Sequence, residues 1–473
     1  MARSASGLTA WALMVLVGCG NGLSRCGVEP GETADCTYPW VLLEDGYYWG
    51  QEWSGAGFAL AVGNIDDDAL DEVLVGQRCM FLDDCFDLMQ PMAELSGAFI
   101  LDQPFDGGYL EDVASARFLG SPDSNSRFGS SLVITGDLTG NDYSDIVIWG
   151  DRDDDNGADE LGWHVFAGPF PLGSEYTPSG ASAIIKDESQ ASNCGVQCTD
   201  AVACLADGDE QLDFCFTDGV VSGPVNGEYG VEDRYLNLEL YRVAAGDLGD
   251  DGTDSLIIAQ DVVLLDENPT ISALERNVIG GDVDPVRDAE AIWTIADLNK
   301  RGHLISGPDL DGDGLEDIVY SQVVWDAEND TLTPTAYVLT GPGGISVEDA
   351  FARFESTELG EHEAPLASGD FDGDGHDDLA IGITDLMVSV HRGPLEPGIF
   401  SELDADALLT ACSKHDCDGP QTCYSFDDNF GYSLASGDLD GDGRDDLVIG
   451  APRMDEDGSE DNGRVYIAWG GGL

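Results

Sequence analysis

Short apolar runs, rich in valine and isoleucine and bounded by glycine, recur along the whole chain. Leu447-Val-Ile-Gly-Ala-Pro452, Leu379-Ala-Ile-Gly382 and Ile318-Val-Tyr320 are the clearest. Runs of this length with turn residues at both ends predict β-strands rather than helices. Each follows an acidic loop, and the loops repeat. Asp438-Leu-Asp440-Gly-Asp442-Gly-Arg-Asp-Asp446 is the cleanest, preceded by Phe430-Gly431. Asp370, Asp372, Asp374 and Asp378 form a second copy, and Asp309, Asp311, Asp313 and Asp317 a third. Weaker copies start at Asn64, Asp137 and Asp247, and Asp207-Gly-Asp209-Glu-Gln-Leu-Asp213 keeps three acids with Leu205 in first place. The starts at 64, 137, 205, 247, 309, 370 and 438 are spaced by 73, 68, 42, 62, 61 and 68 residues. These spacings suit the blades of a propeller.

A second landmark keeps the register. The second strand after a loop ends in Gly-Pro, as in Gly168-Pro169, Gly223-Pro224, Gly341-Pro342 and Gly393-Pro394. Each unit therefore reads strand A, acidic loop, strand B, strand C, strand D. The expected fold is all-β, a seven-bladed β-propeller spanning residues 36–473, with six blades and residues 180 to 225 as an insertion the main alternative. The last unit stops after strand C, Arg464 to Trp469. Its strand D is expected from the N-terminus, near Tyr38 to Glu44, which would close the ring and remove free sheet edges.

The loop pattern D-x-D-G-D-G-x-x-D is a recipe for an oxygen-lined metal site. Acids at positions 1, 3 and 5 converge on one side of a tight turn, and glycines at 4 and 6 permit positive φ. The carbonyl at 7 and the acid at 9 complete a shell of hard donors, which favours Ca2+. The expected ligands are Asp309, Asp311, Asp313, Leu315 (through its carbonyl) and Asp317 in one loop. The next has Asp370, Asp372, Asp374, His376 and Asp378, and the last Asp438, Asp440, Asp442, Arg444 and Asp446. Asn64, Asp66, Asp68, Leu70 and Glu72 are all oxygen donors too. Asp137, Thr139, Asn141, Tyr143 and Asp145 carry less charge and should bind more weakly. In the loop at 247 only Asp247 and Asp251 remain, because Gly249 and Ser255 fill positions 3 and 9. About three to six calcium ions are expected, in a structural role. The competing reading is a set of metal-free turns held by Asx bonds, strongest for the loops at 205 and 247.

The pattern resembles the FG-GAP repeats of the integrin alpha-subunit propeller and their bacterial relatives, over roughly residues 36 to 473. That resemblance implies a binding function, with ligands docking on the face opposite the calcium loops. The strand order places A–B and C–D turns on one face and B–C and D–A turns on the other. The long insertions Gln77 to Leu95, Gly150 to Leu161, Ser189 to Gln197 and Thr410 to Asp428 fall mostly on that second face. Function commonly sits on such loops over a rigid scaffold. Met80, Phe81, Leu82 and Phe86 make one loop tip unusually apolar. That tip is either a partner contact or a plug for the central channel.

The N-terminus adds an address. Arg3 and the apolar run Leu8 to Val17 read as a signal segment too short to span a bilayer. Leu16-Val17-Gly18-Cys19 resembles the bacterial lipobox, which implies cleavage after residue 18, lipid on Cys19, a linker over 19–35, and export to the outer membrane. Twelve cysteines in an exported chain suggest disulfides. The close spacings are Cys26–Cys36, Cys79–Cys85, Cys194–Cys198 and Cys204–Cys215, with one thiol left over among Cys412, Cys417 and Cys423.

Charge and missing motifs exclude much. With 93 Asp+Glu against 19 Lys+Arg, the formal net charge is −74. Such a chain repels nucleic acid and anionic headgroups. Membrane contact is expected only through the N-terminal lipid. The six histidines show no metal spacing, and neither a G-x-S-x-G elbow nor a phosphate-cradling loop is present. The expectation is a monomeric, non-enzymatic adhesion or binding scaffold for a protein or glycan. A lectin-like propeller and a polysaccharide lyase or hydrolase are the alternatives.

Overall fold

The structure is a computed structural model. It describes residues 40–473 apart from 44–46, 51–53, 67, 69, 79–95, 106, 121–126, 154–158, 187–200, 205–211, 217–218, 230–235, 238–241, 247, 249–254, 261–269, 275–290, 295–302, 327–330, 341–349, 357–363, 384–386, 412–428 and 455–461. The signal segment, Cys19, the linker, Met80, Phe81, Leu82, Phe86, Asp247, Asp251 and most cysteines therefore lie outside the described residues.

Among the described residues, seven separate sheets follow one another along the chain. The first pairs Ala56–Gly63, Glu72–Gln77, Gly97–Leu101 and Ala116–Leu119. The second pairs Ser131–Thr135, Asp145–Asp153, Asp159–Phe166 and Ala183–Lys186. The third uses Ala201–Cys204, Asp213–Phe216, Gly219–Val221 and Leu236–Asn237. Residues 201–237 thus build a sheet of their own. The fourth uses Arg242–Gly246, Ser255–Gln260, Thr270–Leu274 and Ala291–Thr294. The fifth uses His303–Ser306, Ile318–Asp326, Thr331–Leu339 and Ala352–Glu355. The sixth uses Leu366–Gly369, Asp378–Ile383, Met387–His391 and Ala407–Ala411. The seventh uses Ser433–Gly437, Asp446–Ala451 and Arg464–Ala468. These four-strand cores are antiparallel meanders, as the alternation of strand and tight turn dictates. The fold is all-β, consistent with a propeller. The one described α-helix, Leu110–Val113, is a single turn, and no described helix is long and apolar enough to cross a membrane.

The cores lie between sheets, not within them. Leu74, Ile100 and Phe118 of the first sheet pack with Leu132, Ile146 and Phe166 of the second. Trp149 and Trp163 of the second pack with Phe214 and Phe216 of the third. The same holds between the fourth and fifth, the fifth and sixth, the sixth and seventh, and the seventh and first. Central strands are consequently buried on both faces, which explains why they read as unbroken apolar runs. Each such Phe, Leu or Ile contributes roughly 1.5–3 kcal/mol on burial.

The N-terminal strand sits elsewhere than the sequence suggests. The fourth strand of the seventh sheet is Tyr48–Trp49, paired antiparallel with Val465 and Arg464. Trp40–Leu43, within the expected segment Tyr38 to Glu44, pairs parallel with Leu408–Ala411 as a fifth strand of the sixth sheet. That placement follows a device repeated elsewhere. Ser174–Tyr176, from the C–D connection of the second sheet, pairs parallel with the last strand of the first. Gly227–Tyr229, Gly398–Phe400 and Gly108–Tyr109 cross in the same way. The N-terminal segment thus supplies both the crossing strand and strand D that the last unit lacks. Buried Arg464 holds it there, its guanidinium 4.4 Å from the Tyr47 ring centroid and its Nη1 donating to the Tyr466 hydroxyl at 3.2 Å.

Of the cysteine pairs expected from spacing, only Cys204 and Cys215 fall on described strands, where they are diagonal neighbours: Cys204 opposes Asp213 and Cys215 opposes Val202.

Candidate metal centre

The acidic loops join strands A and B. In the loop starting at Asp309, that carboxylate receives three backbone amides. Gly312 and Asp313 donate to Oδ1 at 2.8 and 3.1 Å, and Gly314 donates to Oδ2 at 3.0 Å. Asp311 Oδ1 accepts from the Asp313 amide at 3.0 Å, and Asp313 Oδ1 from the Leu315 amide at 2.9 Å. The loops at Asp370 and Asp438 repeat this bonding amide for amide. It is possible only because positions 4 and 6 adopt positive φ: 75° and 89° at Gly312 and Gly314, 78° and 91° at Gly373 and Gly375, 74° and 83° at Gly441 and Gly443.

The acid at position 9 starts strand B, or in the case of Asp317 directly precedes it, and is buried. Asp317 Oδ2, Asp378 Oδ2 and Asp446 Oδ2 accept the position-2 amides of Leu310, Phe371 and Leu439 at 2.9, 3.0 and 3.0 Å. Glu72 Oε2 accepts that of Ile65 at 2.7 Å. Among the described residues, carboxylate oxygens crowd within 4.8 Å of one another in four groups: Asp66, Asp68 and Glu72; Asp309, Asp311 and Asp317; Asp370, Asp372 and Asp374; Asp438, Asp440 and Asp446. Burial first, then the neighbouring carboxylates, pushes the Glu72, Asp317 and Asp446 carboxyls up to about 7 and Asp378 up to about 6. Like charges held this close at low dielectric repel unless something neutralises them. A donor set made only of oxygen, with its acids already oriented by backbone amides, fits a hard divalent cation. Arginine supplies part of the balance: Arg392 Nη1 lies 3.3 Å from Asp372 Oδ2, and Arg444 Nη1 lies 3.0 Å from Asp442 Oδ2.

The loop at Asp137 is different. Asp137 accepts the Asn141 and Asp142 amides at 2.6 and 2.8 Å, but Thr139 turns its hydroxyl onto Asp145 Oδ1 at 3.3 Å. Tyr143 donates its amide to Asn141 Oδ1 at 2.9 Å. Acids remain at only two of the expected ligand positions, Asp137 and Asp145, and the loop ties itself with its own hydrogen bonds. Asp247, Asp251 and residues 205–211 lie outside the described residues.

The Gly-Pro landmark acquires a reason here. The glycine amide donates to the other oxygen of the position-9 acid: Gly168 to Asp145 at 3.1 Å, Gly223 to Asp213 at 3.0 Å and Gly393 to Asp378 at 2.9 Å, and Gly470, followed by glycine instead of proline, donates to Asp446 at 2.7 Å. A Cβ at Gly393 would lie 2.1 Å from the Asp377 carbonyl oxygen, and one at Gly223 only 1.9 Å from that of Leu212. The strand-C terminus must therefore be glycine. Gly393→Ala should cost about 2–3 kcal/mol through the clash and the weakened buried bond, read as a lower urea midpoint. Gly180→Ala, where nothing lies within 4 Å, should stay within about 0.5 kcal/mol.

Each loop also leans on the next sheet, through residues the sequence reading passed over. The position-8 acids reach backwards. Asp377 Oδ2 accepts the Asp309 amide at 2.9 Å, Asp445 Oδ2 the Asp370 amide at 2.9 Å, and Asp71 Oδ2 the Asp438 amide at 3.1 Å. The amides of Asp445 and Asp71 return bonds to the Asp370 and Asp438 carbonyls at 3.1 and 3.2 Å. Position-2 carbonyls are latched as well. Leu310 accepts from the Leu395 amide and Phe371 from the Gly471 amide, both at 2.7 Å, and Leu439 accepts from the Gln103 side chain. The signal was the doubled acid at positions 8 and 9 in Asp377-Asp378, Asp445-Asp446 and Asp71-Glu72.

Residues 430–467, which contain the most regular of these loops, match the FG-GAP repeat model. That stretch is an FG-GAP repeat. The chain resembles the integrin alpha β-propeller. Integrin alpha-PS2 of Drosophila melanogaster is 32% identical over 154 residues, covering 29% of this chain and 10% of that one. Integrin alpha-7 of Mus musculus is 33% identical over 102 residues, covering 22% and 8%, and that of Homo sapiens 34% over 104 residues, with the same coverage. The chain thus spans about a tenth or less of the length of these relatives. Among solved structures, BBS1N in complex with ARL6DN covers 90% of this chain and 97% of that chain at 9% identity and a TM-score of 0.41.

Proposed function

We propose that this chain is a calcium-stabilised, seven-bladed FG-GAP propeller that works as an exported binding or adhesion scaffold. The carrying observation is the set of four all-oxygen clusters on loops of an integrin-like repeat. Calcium would be held by the acids at positions 1, 3, 5 and 9 and the position-7 carbonyls of Leu70, Leu315, His376 and Arg444. Its chemistry there is neutralisation and rigidity, because the buried acids leave the ion little freedom to exchange ligands.

Seven blades in a ring are supported by the separate sheet at 201–237 and by the neighbouring first strands, where Ala56–Gly63 lies against Ser433–Gly437. The N-terminal strand Tyr48–Trp49 would be the clasp. Partner docking is assigned to the face opposite the metal loops, because the strand order assigns the long B–C and D–A insertions to that face. The protein is not an enzyme in this reading, and lipid on Cys19 tethers it to the outer membrane.

The test is direct. The purified protein, immobilised, is screened against a glycan array and a panel of extracellular proteins, with calcium and with chelator. Calcium-dependent capture of one ligand class supports the scaffold. Turnover on a polysaccharide panel would replace it with the lyase or hydrolase reading.

A further inference from the structure

The four acidic clusters are contiguous. They occupy the fifth, sixth and seventh sheets and then the first, which packs against the seventh. At each of the three junctions within this series a position-8 carboxylate takes the position-1 amide of the preceding loop. Past the first sheet the series stops: the next position 8 is Ser144, which brings no carboxylate, and that loop has acids at only two of its expected ligand positions, Asp137 and Asp145.

We propose that Asp377, Asp445 and Asp71 are positioning residues that couple metal binding in each loop to the loop before it. The inference rests on the metal reading of the loops. Position 8 lies between two expected ligands, the position-7 carbonyl and the position-9 carboxylate, so an ion that fixes those two fixes the residue between them. The carboxylate of that residue then fixes the backbone of position 1 in the preceding loop. Position 1 organises the rest of its own loop, since Asp309, Asp370 and Asp438 each collect three amides. A loop whose first residue is already held has less conformational freedom to lose on closing around an ion, which is positive coupling without any change of fold. The position-2 latches act in the same sense, because they tie the second residue of each loop to the following sheet. The geometry sets which loops are paired, the seventh with the sixth and the sixth with the fifth, and the coupling within each pair is reciprocal.

The decisive experiment is native mass spectrometry of the purified protein as free calcium is lowered, with calorimetric titration beside it. Coupled loops leave the one- and two-ion species underpopulated relative to a binomial distribution and give a Hill coefficient above one. In Asp445→Ala, which removes no expected ligand, apparent calcium affinity should fall about 10-fold, within the usual range of coupling between sites, and the Hill coefficient should drop. Asp445→Asn, which keeps an acceptor oxygen for the Asp370 amide, should recover most of both. Asp377→Ala serves as the second variant at an independent junction. A binomial distribution in the wild-type protein overturns the coupling. So does an Asp445→Ala protein that melts lower with and without calcium alike yet binds its ions as before, since that is a purely structural role. Absence of calcium from the wild-type protein overturns the metal reading itself, and the coupling with it.

Discussion

Removing calcium from the purified protein should lower its melting temperature by about 10 °C. A ligand held at a hundredfold excess over its dissociation constant stabilises the native state by about 2.7 kcal/mol per site. Four clusters would give roughly 11 kcal/mol. An unfolding entropy of about 2.1 cal/mol/K per residue amounts to roughly 1 kcal/mol/K for 473 residues, so the shift is on the order of 10 °C. The effect should be larger than any single core substitution, because the four loops lie side by side and lose their counter-charge together. Scanning calorimetry in calcium and in chelator measures the shift, and elemental analysis counts the ions. Asp372→Ala and Asp440→Ala, each removing a ligand from one loop, should each lose about one ion and a few degrees. A melt unmoved by chelator, with no calcium in the purified protein, would mean that the loops are Asx-bonded turns and that the amide bonds to Asp309, Asp370 and Asp438 suffice by themselves.

The metal loops were legible in the sequence because their chemistry is local. Three acids at alternating positions with glycine between them specify a turn within nine residues, and the three regular loops repeat one bonding pattern. Gly-Pro was legible as a landmark but not as a cause. Its reason, an amide bond from Gly393 to Asp378 and a carbonyl pressed against its Cα, depends on two strands that meet only after folding. The closing strand was misplaced for a physical reason. Trp40-Val-Leu-Leu43 is a stronger apolar run than Tyr48-Trp49, and pattern reading favours the longer run. It does form a strand, yet in the neighbouring sheet, where a parallel crossing covers an otherwise exposed edge. Tyr48–Trp49 is too short to carry a periodicity, and its place is fixed by Arg464 and Tyr466, which lie more than four hundred residues away. The position-8 acids were passed over because a nine-residue motif read in isolation has no neighbour, and their partners belong to the preceding unit.

Those same buried acids set the response to pH, and the expected sign is unusual. Glu72, Asp317 and Asp446 titrate near 7 and Asp378 near 6, against ordinary values of 4.5 for Glu and 3.8 for Asp. Between about pH 4 and 7 the calcium-free native state therefore binds more protons than the unfolded chain. Stability then falls as pH rises through that window and is recovered on acidification. His391 works against this. Its burial pushes it down to about 4 from 6.5, so below neutral pH the unfolded chain takes up the proton first. These four carboxyls, with Asp71, Asp102, Asp145, Asp311 and Asp445 also raised by burial, outweigh one depressed imidazole between pH 7 and about 5.5. The calcium-free protein should accordingly melt higher at pH 5.5 than at pH 7.5. With calcium the order reverses, because protons and metal compete for the same oxygens. For a loop whose buried acid titrates near 7, protonation alone weakens calcium binding roughly 25-fold between pH 7.5 and 5.5. The two melting curves, with and without calcium, should converge as the pH is lowered. A calcium-free protein that is most stable near pH 7.5 and weakens steadily toward pH 5.5 would show that the crowding of these carboxylates is relieved in some way other than by metal or proton.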